Sequence, residues 1–207
     1  SRGLGDVYKR QIDDFIDIGA YELLEESLEK LPYLDKQELV FIDSSDNRVS
    51  FFIDERPLFE SAGATLIKYD VVELGDTIKY RYSSQIKSFY VENDSLNMRF
   101  YMSLQSRPYY PEPENDFVAD VLNIFCDNPD PNITSSQVFY HETNTRTWPT
   151  TWNSEVIEEI EILGRSFTDV HNVDFVNPIS VVHFNYEFGI VSFTDMEGKL
   201  WRFESFN

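Results

Sequence analysis

The chain has 207 residues, 17 Lys and Arg against 37 Asp and Glu, and a formal net charge of −20 at pH 7. Such a surface repels phosphate backbones and anionic headgroups, which excludes nucleic-acid binding by phosphate neutralisation. No run approaches eighteen consecutive apolar residues, which excludes a membrane-spanning helix; the 17 Phe, 12 Tyr and 3 Trp are enough to build a core that needs neither disulfide nor metal.

Residues Ser1–Gln11 (SRGLGDVYKRQ) read, without a mismatch, as the translation of a transposase sequencing adaptor and are left out of fold reasoning. The expectation is one β-rich domain over 12–207, truncated at its N-terminus. Tyr21–Leu31 is a predicted helix, with Leu23, Leu24, Leu28 and Leu31 near one stripe and Pro32 as its stop. Leu39–Ile42 and Val49–Ile53 flank Ser44-Ser45-Asp46-Asn47, a run of turn formers, and read as a hairpin. Thr65–Val72 and Thr77–Tyr82 are predicted strands on either side of Gly75-Asp76. Ser88–Glu92 and Asn97–Leu104 pair across Asn93-Asp94-Ser95, and Met98, Phe100, Met102 and Leu104 share one face by two-residue spacing.

Pro108–Glu114 and Asp127–Asn132 break regular structure, and Trp148–Trp152 is a further irregular stretch. Asp116–Cys126 is compatible with helix or strand. Val156–Leu163 is also open between the two, but Ile160 and Ile162 alternate with acids, which favours strand. Phe167–Val176 and Val181–Tyr186 follow as strands. The last hairpin, Ile190–Asp195 and Lys199–Phe203, turns at Met196-Glu197-Gly198 and sets Trp201 and Phe203 facing inward. Gly189 lies inside a strand, where glycine permits a bulge or close backbone approach. No repeat of fixed period is visible. The fold expected is mainly β: a single antiparallel domain, as a curved sheet or sandwich, with one short N-terminal helix.

The chemistry-bearing patterns are few. No Gly-rich phosphate loop, no HExxH and no paired-cysteine spacing occurs, so no cofactor, metal or catalytic residue is assigned. His141, His171 and His183 stand far apart in sequence, and no GxSxG elbow accompanies them. Cys126 is alone and precedes Asp127, an acidic neighbour that disfavours thiolate. Asp43–Asn47 offers oxygen ligands at close spacing but lacks the glycine and distal glutamate of a calcium loop. Glu158, Glu159 and Glu161 supply paired acids of the kind glycoside hydrolysis uses. Tyr109, Tyr110, Trp148 and Trp152, in proline-containing irregular segments, form the candidate binding patch for sugars or partner surfaces.

Two regions carry a resemblance. Leu31–Ile53 (LPYLDKQELVFIDSSDNRVSFFI) resembles the opening of uncharacterised Bacteroidetes-type lipoproteins, in which an LPY stretch soon follows the lipidated cysteine and a hairpin comes next. Gly164–Val173 and Val181–Phe203 resemble the close of the same proteins, with Phe184, Glu187, Gly189, Ile190, Phe193, Gly198 and Trp201 matching. The resemblance implies an extracytoplasmic, periplasmic or outer-membrane protein, mostly β, anchored through a lipidated cysteine upstream of this sequence. It brings no catalytic residues. The expectation for function is therefore a non-enzymatic envelope domain with a structural or binding role. A module for a glycan or apolar ligand is the alternative, and a secreted two-carboxylate hydrolase is the second.

Overall fold

The computed structural model describes residues 15–69, 77–108, 118–127, 141–142, 156–173 and 182–207. These residues form thirteen strands and one helix. In chain order they are β1 (Phe15–Tyr21), α1 (Glu25–Glu29), β2 (Glu38–Ile42), β3 (Arg48–Glu55), β4 (Phe59–Tyr69), β5 (Thr77–Asn93), β6 (Met98–Pro108) and β7 (Val118–Asp127). They continue with β8 (His141–Glu142), β9 (Val156–Ile162), β10 (Arg165–Val173), β11 (Val182–Asn185), β12 (Gly189–Thr194) and β13 (Leu200–Phe206). All strands join one open sheet in the order β8-β7-β6-β5-β3-β2-β13-β12-β11-β10-β9. The first half of β5 is flanked by β4, antiparallel, and by β1, in the sheet's one parallel pairing among the described residues. The mainly β, antiparallel fold with one short helix is thus the observed one.

Ring packing shows how strongly the sheet curves. Phe193 on β12 and Phe100 on β6 are five strand steps apart, roughly 24 Å in a flat sheet. Their ring centroids are 5.7 Å apart, and Phe193 also meets Phe51 at 5.3 Å and Phe41 at 5.0 Å. The sheet therefore rolls around a core of edge-to-face phenylalanines, a favoured aromatic geometry. Met98, Phe100, Met102 and Leu104 all point into this core, as do Trp201 and Phe203.

Three hairpins stand side by side with their turns at one end of the sheet. β2 runs into its turn and β13 leaves its own, and they pair antiparallel with Arg202 opposite Ile42. By the same logic β3 and β5, with Phe52 opposite Glu92, bring the β5–β6 turn to that end. Each turn is closed by an Asx side chain. Asp43 Oδ1 accepts from the Ser45 and Asn47 amides (2.7 and 2.9 Å). Asp195 Oδ1 accepts from Glu197 and Lys199 (2.9 Å each), and Asn93 Oδ1 accepts from Leu96 (2.7 Å). Asp46, Asn97 and Gly198 take the left-handed position. Residues 41–51 and 193–203 are thus one design used twice: Phe, any residue, Asp, and a Phe eight residues further on.

The structure corrects two elements. The predicted helix over Tyr21–Leu31 is reduced to Glu25–Glu29, because Tyr21 ends β1 and the next amides are claimed from elsewhere. Leu23 N–H donates to Gln85 Oε1 and Leu24 N–H to Asp120 Oδ2, both at 3.0 Å, so the lead-in is pinned in an extended shape. Leu23 and Leu31 are buried while Leu24 is left exposed. The strands predicted as Thr77–Tyr82 and Ser88–Glu92 are one strand of 17 residues. The polar stretch between them is not a break: it is where the neighbour changes from β4 to β3, and the buried Ser84 hydroxyl bonds to the Ser106 carbonyl. Asp116–Cys126 and Val156–Leu163, both open between helix and strand, hold β7 and β9. Of the segments predicted to be irregular, Pro108–Glu114, Asp127–Asn132 and Trp148–Trp152, Pro108 and Asp127 are the last residues of β6 and β7, and the rest lies outside the described residues.

Gly189 (φ +79°) pairs with Asn185, two residues before the bulge at Val191, where the β11–β12 register shifts between His183 and Phe184. A Cβ there would overlap Tyr33 Oη, Cζ and Cε1. Tyr33 is fully buried, and its hydroxyl accepts a 2.6 Å bond from Ile190 N–H. Burial raises the phenol's pKa, and the Ile190 bond only partly opposes that.

Candidate functional site

Strands that feed a curved core on one face leave a second, convex face. On β3–β7 the residues between the core positions can be read off the pairing register as four rows. Phe52 lies opposite Glu92, and Glu92 opposite Arg99. Asp54, Tyr90, Tyr101 and Phe125 form the next row, then Ser88, Ser103 and Asn123, all buried, then Phe59, Ile86, Gln105 and the buried Val121. The face is rich in aromatics where a solvated sheet face is normally polar.

These rings do not all present themselves in the same way. Tyr90 and Tyr101 have centroids 5.0 Å apart and planes tilted by 37°, and Tyr101 and Phe125 are 5.8 Å apart at 32°. Rings this close cannot lie side by side in one plane. They lean on one another and are half-buried. The Arg56 and Arg99 guanidinium groups lie 5.2 and 5.7 Å from the Tyr90 ring, as cation–π neighbours. Both are also paired, Arg56 with Asp54 at 2.6 Å and Arg99 with Glu92 at 2.9 Å. Phe52 and Phe59, at the two ends of the column formed by β3 and β4, are 64% and 45% exposed. On this face Arg48, Arg56 and Arg99 stand against Glu38, Asp54, Glu92, Asp94 and Asp127, so it shares the acidic balance of a chain of net charge −20.

At the turn end the face dips into a shallow groove of about 380 Å³ between β3 and the β5–β6 turn, lined by Arg48, Ser50, Phe52, Glu92, Asn93, Asp94 and Ser95. Its floor is held: Asn93 Nδ2 donates to Ser50 O at 2.6 Å, and Asn93 Oδ1 accepts from Ser95 Oγ at 2.8 Å.

The other sequence candidates fall as follows. Tyr109, Tyr110, Trp148 and Trp152 lie outside the described residues. The Asp43 carboxylate is occupied by its own turn and by an ion pair with Lys199. Burial alone would raise its pKa, but the Lys199, Asn47 and Ser45 bonds outweigh that and hold the carboxyl well below the usual range. Glu38 is likewise lowered, by bonds from Ser50 and Asn207. Cys126 is buried, and Glu158, Glu159 and Glu161 lie exposed on β9. His183 Nδ1 and Ser192 Oγ are hydrogen-bonded at 2.7 Å, but Ser192 is fully buried, where no substrate reaches a nucleophile. Among the described residues no three His, Cys, Asp or Glu side chains gather as metal ligands.

The sequence reading missed Phe52, Phe59, Tyr90, Tyr101 and Phe125. A signal was present: in SFYVEN and RFYM aromatics occupy positions of both parities, and in NIFC Phe125 stands between the apolar Ile124 and Cys126, which a strand covered on one side only does not require. Comparison with known proteins finds no family model, no curated protein and no solved structure that matches this chain.

Proposed function

We propose that this chain is a non-enzymatic binding module of the cell envelope that holds a glycan across the convex face of β3–β7. The observation that carries the reading is the placement of two exposed rings, Phe52 and Phe59, at either end of a grid of stacked tyrosines and paired charges. The two rings are three rows apart, roughly 20 Å along the strands, a span that suits an extended polymer. A protein partner would favour a contiguous apolar centre with charges at the rim. Here ion pairs flank the central row, and the polar row beside it, Ser88, Ser103 and Asn123, is buried. The concave face is filled by phenylalanines, which counts against an apolar-ligand carrier. The carboxyls with a resolved shift, Glu38 and Asp43, are lowered, the opposite of a general acid. Envelope placement and a lipid anchor rest on the terminal motifs at 31–53, 164–173 and 181–203.

The test is affinity electrophoresis through gels holding neutral and acidic polysaccharides. The wild type should be retarded by at least one of them, and the Phe52→Ala/Phe59→Ala variant should migrate freely. Both substitutions remove exposed atoms, so circular dichroism should be unchanged. Equal migration of both proteins in every gel would overturn the reading.

A further inference from the structure

We infer that the groove at the turn end of β3 and β5 is a subsite for one neutral pyranose ring, stacked on Phe52. The inference rests on the glycan reading of the convex face and names the chemistry of one position within it. Phe52 is on a central strand, with Glu38 and Glu92 in register on its two sides. A ring left 64% exposed between two carboxylates is not there to be covered by its own sheet. A pyranose offers what this surround fits: an apolar C–H face for the ring, and a rim of hydroxyls that both donate and accept.

The polar groups match that rim. Arg48 donates, Asp94 accepts, and the Ser95 hydroxyl and the Ser50 main chain lie beside them. Charge decides the class of sugar. Arg48 is matched by Asp94, Glu92 is paired with Arg99 at 2.9 Å, and Glu38 adds a carboxylate beside Phe52, so an anionic sugar meets no net positive charge and a neutral one suits the site better. Size decides the number. About 380 Å³ is near the lower end of small-ligand sites and leaves room for one ring rather than a chain. The Asn93 bonds to Ser50 and Ser95 fix the floor before a ligand arrives, which limits the ordering cost of binding.

The experiment is calorimetric titration of the full chain with a panel of neutral hexose disaccharides and the matching uronates, at low and high salt. A neutral disaccharide should bind with little salt dependence. Phe52→Ala should weaken it about tenfold or more, as loss of an aromatic anchor does, and Val156→Ala, at an exposed position on the far edge strand β9, should leave it unchanged. A uronate bound more tightly, with affinity lost in salt, would overturn the inference in favour of anion recognition by Arg48. Disaccharide binding that Phe59→Ala abolishes and Phe52→Ala spares would overturn the groove while leaving the convex-face reading intact. Polysaccharide retardation without any disaccharide binding would do the same. Loss of retardation and of disaccharide binding together would remove both.

Discussion

Gly189→Ala tests the packing of the whole C-terminal half. The new methyl would occupy space already filled by the Tyr33 ring end, and the backbone there is left-handed at φ +79°. Three costs add. Holding alanine in that conformation costs about 1–2 kcal/mol. Displacing a fully buried tyrosine, wedged edge-on against Phe89 and Phe206 at 6.0 and 6.5 Å, is overpacking of about 1–3 kcal/mol. Moving the hydroxyl away orphans the buried Ile190 N–H, at about 1–3 kcal/mol. The expected loss is about 3–8 kcal/mol, a large share of a typical 5–15 kcal/mol stability. Denaturant unfolding of wild type, Gly189→Ala, Tyr33→Leu and the double variant measures it as a cycle. With the ring end gone, the glycine substitution should cost only the backbone part, about 1–2 kcal/mol. A cost under about 1 kcal/mol in the wild-type background, or equal costs in both backgrounds, would refute the idea that Tyr33 fills the place of the missing Cβ.

Trp201→Ala should destabilise by about 3–5 kcal/mol, since the indole is buried and its Nε1–H donates to Asp195 Oδ2 at 2.8 Å; a loss under about 1 kcal/mol in denaturant unfolding would contradict its burial. His171 is buried, and burial holds its pKa below the ordinary 6.5, with Asp169 opposing weakly. The unfolded chain therefore binds its proton more readily, so stability should rise with pH through the region just below about 6.5 and fall on acidification. His171→Gln should flatten that slope in urea midpoints measured from pH 7 to 5, and an unchanged slope would assign it to other groups.

The fold was legible wherever a side chain's local pattern and its tertiary fate agree. Alternation at Met98–Leu104 announced a one-sided strand, and Ser44–Asn47 announced a turn, because both signals are local. The helix was read too long because nothing within Tyr21–Leu24 reveals that Gln85 and Asp120 will take its leading amides. β5 was split because a buried polar stretch looks like a loop until its partners in β4, β3 and β6 are known. The duplicated Phe–Asp–Phe hairpin escaped notice because its copies stand 152 residues apart, Phe41 to Phe193, with no fixed period between. The convex face was hidden for a related reason. Tyr90, Tyr101 and Phe125 come from three strands, and only the register sets them in one row.

The seam between β2 and β13 has a further consequence, for how the chain reaches this shape. Two strands that neighbour each other mid-sheet come from opposite ends of the described chain, so the sheet is complete only once β2–β8 and β9–β13 meet at this seam. Until the later half has been synthesised, β2 offers an unsatisfied border of amides and carbonyls beside Phe41, the sort of template on which nascent chains stick to one another. Long-range closure of this kind is slow. The dense negative charge that looks like mere solubility in the finished molecule then has an earlier duty, keeping half-made copies apart while they wait.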